Sequence, residues 1–150
     1  MGNLVSFKHD ELTADEWVYL RRIAGFPLLN RDTAEQALAF SNTIALMYDK
    51  DLAGMLRIIG DGVYSYYFND VIIAPKYQGK GLGAKLIEEG FSFISKEKSK
   101  DKLYSVSIFA NEEAVDFYKK KAFSTSSEIA MKVYFLNGKR GTRNFVNQVP

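Results

Sequence analysis

Apolar positions along the chain change period several times, and each change marks an element. Residues 3–8 set Leu4, Ser6 and Lys8 against Val5 and Phe7, the alternation of an opening strand. Thr13-Ala14-Asp15-Glu16 is a capping box, in which the Thr13 hydroxyl accepts from the Glu16 N–H and the Glu16 carboxylate reaches back. Trp17, Leu20 and Ala24 follow on one helical face, and Gly25 and Pro27 stop that helix. Thr33 is the expected cap of a second short helix, with Ala37, Leu38 and Phe40 on its apolar side. The period then shortens. Residues 43–49 and 52–59 are β-rich runs joined at Lys50-Asp51, Gly60-Asp61-Gly62 is a second turn, and 63–74 is a third run that Pro75 ends. A helix is expected from Leu82 to about Lys96, with Leu86, Ile87, Phe91 and Ile94 inward. In 103–109, Leu103, Val106 and Ile108 are interspersed with Ser105 and Ser107. Asn111 then caps a helix holding Ala114, Val115, Phe117 and Tyr118, and 131–136 is a last strand. The order β-α-α-β-β-β-α-β-α-β implies a mixed α/β sheet: an antiparallel meander, then βαβ crossings, with helices on both faces.

Composition narrows the chemistry. At 150 residues, 47% hydrophobic and 25% charged, the chain has the balance of one folded domain, 1–150, with no repeat or linker. The stretch 137–150, with Lys139, Arg140 and Arg143, has little periodicity; a tail, an extra strand and a homodimer contact are its alternatives. Twenty Lys and Arg against 18 Asp and Glu leave a net charge of +2, too little for a nucleic-acid partner. The absence of Cys excludes disulfides, thiolate metal sites and a Cys nucleophile, and the single His9, expected on the surface, excludes zinc clusters and leaves no metal expected. No run approaches the ~20 apolar residues of a membrane span, and Lys8, His9, Asp10 and Glu11 interrupt any leader. A cytoplasmic protein with no membrane partner is expected. Gly2 and Ser6 match a loose myristoylation pattern, set against the strand reading of the same residues. The lysine-rich run 96–102 reads as a solvated helix end. Carboxylates, Tyr, Lys, Arg, backbone groups or a bound cofactor must therefore supply the chemistry.

The sharpest local feature is Val71-Ile72-Ile73-Ala74-Pro75-Lys76-Tyr77-Gln78-Gly79-Lys80-Gly81-Leu82-Gly83-Ala84. A strand enters a loop with glycine at every second position, and the loop enters a helix. Glycines permit positive φ and leave no Cβ, so successive N–H groups converge, and the helix N-terminus adds unpaired donors. This is a phosphate cradle, with Lys76, Lys80 and Lys85 around it. A P-loop spacing does not fit. Gly79, Gly81 and Ala84 match a dinucleotide fingerprint, but Lys76-Tyr77-Gln78 intervene after the strand and the next strand ends without an acid for a ribose.

Gln78-Gly79-Lys80-Gly81-Leu82-Gly83 resembles the Gln/Arg-x-x-Gly-x-Gly/Ala loop of the GCN5-related N-acetyltransferases, the GNAT family. Val71-x-x-x-Pro75-x-Tyr77 before it is also typical. Downstream, Asn111-Glu112-Glu113-Ala114-Val115-Asp116-Phe117-Tyr118-Lys119-Lys120-Lys121-Ala122-Phe123 looks like the family's Asn-x-x-Ala-x-x-Phe-Tyr-x-x-x-Gly-Phe, departing from it at Ala122. The resemblance covers about the whole chain. It implies a sheet splayed between its fourth and fifth strands, and acetyl transfer from acetyl-CoA to a primary amine of a small molecule or protein by direct attack. It further implies that the N–H groups of Gln78, Gly79, Lys80, Gly81, Leu82, Gly83 and Ala84 hold the pyrophosphate. Main-chain groups of Val71, Ile72 and Ile73 would pair with the pantetheine arm, Asn111 would hydrogen-bond it and Phe117 would pack against it. The Ile72 N–H is the implied oxyanion donor, and Tyr118 the implied general acid toward the CoA thiolate. For a base, Asp70 is the candidate carboxylate, on the same strand face as Ile72; its bland alternative is a surface carboxylate at the strand edge. Water ordered by Tyr66, Tyr67 and Asn69 is the other option, and Glu35 and Glu128 are more remote. The acceptor region is implied at 25–33, with Arg31 and Asp32, and at the last strand. A non-catalytic acyl-CoA sensor is the competing function, and a dinucleotide reductase the third.

Overall fold

Where the hydrophobic period is two, the chain pairs into a five-stranded sheet, and helices from the same part of the chain pack on it. A computed structural model describes residues 4–96 and 102–142. The Gly2 match, most of the lysine-rich run and residues 143–150 lie outside the described residues. Two units are formed, Met1–Ile108 and Phe109–Pro150.

In the first unit the strands are β1 (Val5–His9), β2 (Asn42–Tyr48), β3 (Asp51–Gly60), β4 (Ser65–Ile73) and β5 (Ser105–Ile108), in the order β1-β2-β3-β4-β5. The first three pairings are antiparallel and β4–β5 is parallel. Helices α1 (Ala14–Ile23), α2 (Arg31–Leu38) and α3 (Leu82–Lys96) complete the unit. Both halves of the capping box at Thr13 and Glu16 form. The second helix starts earlier than expected: Asn30, not Thr33, is its cap, accepting from the N–H groups of Asp32 and Thr33. With that shift Phe40 falls beyond the helix and is 88% exposed rather than on an apolar side. Ala24, following α1, is also exposed. The β2–β3 turn uses Asp49 and Lys50, with Asp51 already in β3.

The sheet is covered on both faces. Leu56 and Arg57 are adjacent on β3 and so point to opposite sides. On one side α3 approaches so closely that a Cβ on Gly90 would lie 2.6 Å from Leu56 and 2.8 Å from Phe68. Leu86, Ile87 and Ile94 are buried on this helix, as expected, while Phe91 is half-buried. On the other side α1 inserts Trp17, whose ring lies 4.6 Å from the Arg57 guanidinium carbon. Full burial of each large apolar side chain, such as Trp17, Leu20, Ile44, Leu46, Leu56 or Phe68, stabilises the fold by about 1.5–3 kcal/mol.

The second unit holds α4 (Val115–Lys119), entered through a 3-10 turn at Glu112–Ala114, and a hairpin of β6 (Tyr134–Leu136) and β7 (Lys139–Gly141). The last expected strand is thus shorter at its start, and the stretch assigned no period contributes β7. Asn137 and Gly138, with φ of 50° and 73°, form the turn between them.

Candidate active site

The ladder between β4 and β5 stops half-way. Its register runs from Ser65↔Ser105 to Phe68↔Ile108, while β4 continues to Ile73. The outer edge of Asn69–Ile73 is therefore free of β5, which is the expected opening between the fourth and fifth strands. On the other edge, β3 pairs with β4 through a bulge: Arg57 faces Asn69 and Met55 faces Ile72, so Leu56 stands opposite both Asp70 and Val71. Asp70 takes the left-handed conformation that permits this, with φ of 49°.

The bulge decides which face each side chain reaches. Phe68 shares its face with Ile58, its partner on β3, and packs on α3; Ile72 is opposite Met55, on the Arg57 side. Simple alternation would set Phe68, Asp70 and Ile72 together. The extra residue instead turns Asp70 and Ile72 toward α1. Asp70 is not a surface carboxylate: its side chain is 3% exposed and carries a dense set of donors. Trp17 Nε1 donates to Oδ2 at 2.8 Å and Arg21 Nη1 to Oδ1 at 2.5 Å. Arg57 Nε stands 3.5 Å from Oδ2, an ion-pair contact without a hydrogen bond. Burial lowers the Arg57 pKa, and the charge of Asp70 opposes that shift.

Each arginine is fixed from several sides. Arg21 belongs to the last turn of α1, which closes as a Schellman motif: the Phe26 N–H bonds the Arg21 carbonyl, the Gly25 N–H bonds Arg22, and Gly25 has φ of 77°. Its guanidinium lies 5.3 Å from the Phe26 ring centroid, and its Nη2 donates to the Pro27 carbonyl at 3.1 Å. Arg57 Nη1 donates to Ser41 Oγ at 3.1 Å, and that hydroxyl donates to the Ala37 carbonyl at 2.8 Å. Sequence reasoning did not single out Trp17, Arg21 or Arg57 for the site. Two arginines at apolar-looking positions on α1 and β3 were the available signal.

Beyond β4, Pro75–Tyr77 is a 3-10 turn leading to the glycine loop. Gly79 and Gly81 have φ of 77° and 73°, and a Cβ on either would meet nothing within 4 Å. Glycine is required there by backbone conformation rather than by space. The Lys85 N–H to Gly81 carbonyl bond, at 3.4 Å, opens the α3 ladder, so the N–H groups of Leu82, Gly83 and Ala84 precede it. The loop is exposed and anchored from below. The Tyr77 hydroxyl donates to Asp51 Oδ2 at 2.7 Å, a bond that raises the Tyr77 pKa together with burial. Lys76 Nζ is 3.9 Å from the same carboxylate, and Lys80 Nζ lies 5.7 Å from the Tyr48 ring centroid. The Ala74 N–H bonds Ala53 and Ile73 faces Gly54, so ladder alternation turns the amide and carbonyl of Ile73 to the open edge. The Gln78 side-chain amide donates to that carbonyl at 3.0 Å, tying the loop to the edge. The same alternation directs the Ile72 amide toward β3.

In the second unit, Asn111 precedes the 3-10 turn but its side chain makes no cap hydrogen bond, and it is exposed. Phe117 and Tyr118 are half-buried, with ring centroids 5.0 Å apart. Burial raises the Tyr118 pKa above the ordinary phenol value. The Phe123 N–H bonds the Tyr118 carbonyl, the Ala122 N–H bonds Lys119, and the Phe123 ring lies 5.7 Å from that of Tyr118. This is a second Schellman motif, with Ala122 at φ of 69° in the position that favours glycine. Of the other candidates, Glu35 is exposed and 3.6 Å from Arg31, which also bonds Asp15 at 2.9 Å. Glu128 is exposed. His9 bonds Glu89 at 2.8 Å and stacks on Phe93. Among the described residues no group of three or more His, Cys, Asp or Glu side chains is arranged for a metal, and no helix is long and apolar enough to cross a membrane.

The first unit is thus a mixed α/β sheet whose fourth strand is left open along part of its outer edge and leads, through a glycine loop, into the N-terminus of α3. The acetyltransferase (GNAT) domain model matches residues 22–133, which run through both units. The chain belongs to the GNAT acetyltransferase family. It is similar to GCN5-related N-acetyltransferase 2, chloroplastic, of Arabidopsis thaliana, at 32% identity over 53% of this chain and 30% of that protein. It is also similar to spermidine N(1)-acetyltransferase of Escherichia coli (strain K12), at 35% identity over 60% of this chain and 48% of that protein. The chain thus spans about a third to a half of the length of these two relatives. A solved Staphylococcus aureus protein of unknown function, described as a probable acetyltransferase, superposes with a TM-score of 0.77 at 27% identity, covering 87% of this chain and 99% of that one.

Proposed function

We propose that the protein transfers an acetyl group from acetyl-CoA to a primary amine by direct attack. The observation that supports this reading is the continuity of the open β4 edge with the glycine loop: strand amides lead through the Gln78–Ile73 tie into a loop with positive φ at Gly79 and Gly81 and on to the helix-start N–H groups of Leu82, Gly83 and Ala84. The edge suits the amides of a pantetheine arm. The loop from Gln78 to Ala84, with Lys76, Lys80 and Lys85 near it, suits a pyrophosphate. Acetyl-CoA supplies the activated thioester when bound, so the chain itself needs no nucleophile, which fits a sequence without Cys.

The remaining roles belong to this chain's own groups. Asp70 holds the bulge through Trp17 and Arg21, so it is a positioning residue; the amine proton passes instead to water near Tyr66, Tyr67 and Asn69. Because the Ile72 amide is directed toward β3, the N–H that polarises the thioester carbonyl is assigned to the bulge at Val71. Tyr118 protonates the thiolate, and burial keeps its phenol neutral for that task. The Asn111 side chain, free of a cap bond, hydrogen-bonds the pantetheine side, with Phe117 packed against it.

Calorimetry with CoA, in parallel with acetyl-CoA consumption over a broad amine panel, tests the reading. Binding with turnover is expected. Binding without turnover on any amine would assign an acyl-CoA sensor instead, and absence of CoA binding would overturn both.

A further inference from the structure

The two buried guanidinium groups beside the bulge share a single carboxylate. Asp70 Oδ1 accepts from Arg21, and Oδ2 accepts from the Trp17 indole at 2.8 Å. Arg57 is left at 3.5 Å without a hydrogen bond from its buried Nε, and the Nε of Arg21 is also buried without a partner. Their other recorded partners, Ser41 Oγ and the Pro27 carbonyl, are neutral. Among the described residues no other carboxylate pairs with either side chain. Among the described residues one full positive charge therefore remains, in a place where the Arg21 and Arg57 side chains are only 17% and 13% exposed. A desolvated charge without its counter-charge is costly to maintain.

The position of that surplus matters. Asp70 is two residues from Ile72, on the same face, at the start of the strand segment that β5 leaves open. The guanidinium planes are held in place beforehand, Arg57 over Trp17 and Arg21 over Phe26. A planar fork fixed in advance matches a carboxylate or phosphate and repels a second cation.

We infer that the amine acceptor carries an oxyanion, a carboxylate or a phosphate, which the Arg21–Arg57 pair recognises. The inference rests on the acetyltransferase reading for its amine, and on the charge count at Asp70 for its anion. It sets this chain apart from an enzyme for purely cationic polyamines.

The test uses matched pairs of amines that differ by the anion: lysine against cadaverine, and phosphoethanolamine against ethanolamine. Calorimetry on the CoA-saturated protein should show the anionic member of at least one pair binding about tenfold or more tightly. Which pair shows the preference distinguishes carboxylate from phosphate. Arg57→Gln should abolish the preference and Arg57→Lys should keep part of it, with CoA affinity and circular dichroism confirming that each variant is folded. Equal or tighter binding of the anion-free members, or binding of no member, would overturn the inference. Acetyl-CoA consumption on the same compounds separates the two claims. Turnover of cadaverine as efficient as that of lysine, with no advantage for phosphoethanolamine, overturns the anionic acceptor and leaves the acetyltransferase. An anion preference in binding without turnover on any amine overturns the acetyltransferase and leaves Arg21 and Arg57 as an anion-binding pair.

Discussion

Replacing Asp70 by Asn keeps the shape of the side chain and removes its charge. In the native structure that carboxylate accepts from Trp17 at 2.8 Å and Arg21 at 2.5 Å and lies 3.5 Å from Arg57. An amide carbonyl can retain one of these donors, while its NH2 turns a second donor toward the other. All three ionic side chains are more than four-fifths buried, so solvent screening is slight. Breaking a buried pair on one side costs about 3–5 kcal/mol. The retained acceptor places Asp70→Asn near the lower end, about 3 kcal/mol. For a chain of this length that corresponds to a melting temperature lower by about 6–12 °C. Thermal denaturation followed by circular dichroism reads the shift directly. An exposed carboxylate acting only as a base would cost under about 0.5 kcal/mol on the same substitution. A melting temperature unchanged within about 2 °C would refute the positioning role. So would an acid limb in kcat/KM that the wild type shows and the variant lacks, because that limb would assign proton transfer to Asp70 itself.

Three other outcomes follow from the geometry. Ala122→Gly should stabilise the protein by about 1 kcal/mol, seen as a melting temperature higher by about 2–4 °C, because Ala122 holds a φ of 69° at a helix end that favours glycine. Gly81→Val should weaken CoA binding in calorimetry by about tenfold or more, since the φ of 73° that lets the loop amides converge is strained for a β-branched residue. Tyr118→Phe should slow turnover while leaving CoA affinity unchanged. Burial raises the folded Tyr118 pKa above the unfolded value of about 10. Its stabilising contribution is present below that value and is lost as pH rises through the folded one, so the variant should lose less stability than the wild type in alkaline denaturation.

Local rules made much of the fold legible. The capping box at Thr13, the glycine loop and the apolar face of α3 are each written in a few adjacent residues and form as expected. The opening between β4 and β5 came from the family resemblance of two motifs, and the register ending at Phe68↔Ile108 places it. Asn30 escaped notice because Thr33 is also a good cap, and only the preceding loop decides between them. Asn137-Gly138 was an available hairpin signal, since both residues favour positive φ, yet its flanking strands have three residues each and show no readable alternation. The arginine cluster was harder to see. Arg21, Arg57 and Asp70 come from α1, β3 and β4, and a bulge opposite Leu56 brings the carboxylate to their side. Alternation alone cannot show an inserted residue, and a buried ion pair leaves no periodic trace. What remained of Asp70 in the sequence was a carboxylate next to the motif, which suggested a base.

The most direct measurement is product analysis of a single reaction: acetyl-CoA, the protein and an amine, with free thiol followed by absorbance and the amine by mass spectrometry. Transfer by direct attack requires one CoA thiol released for each amine that gains an acetyl group, with no acetyl left on the protein. Thiol release without acetylated amine, or a stable acetyl-protein adduct, would contradict the account.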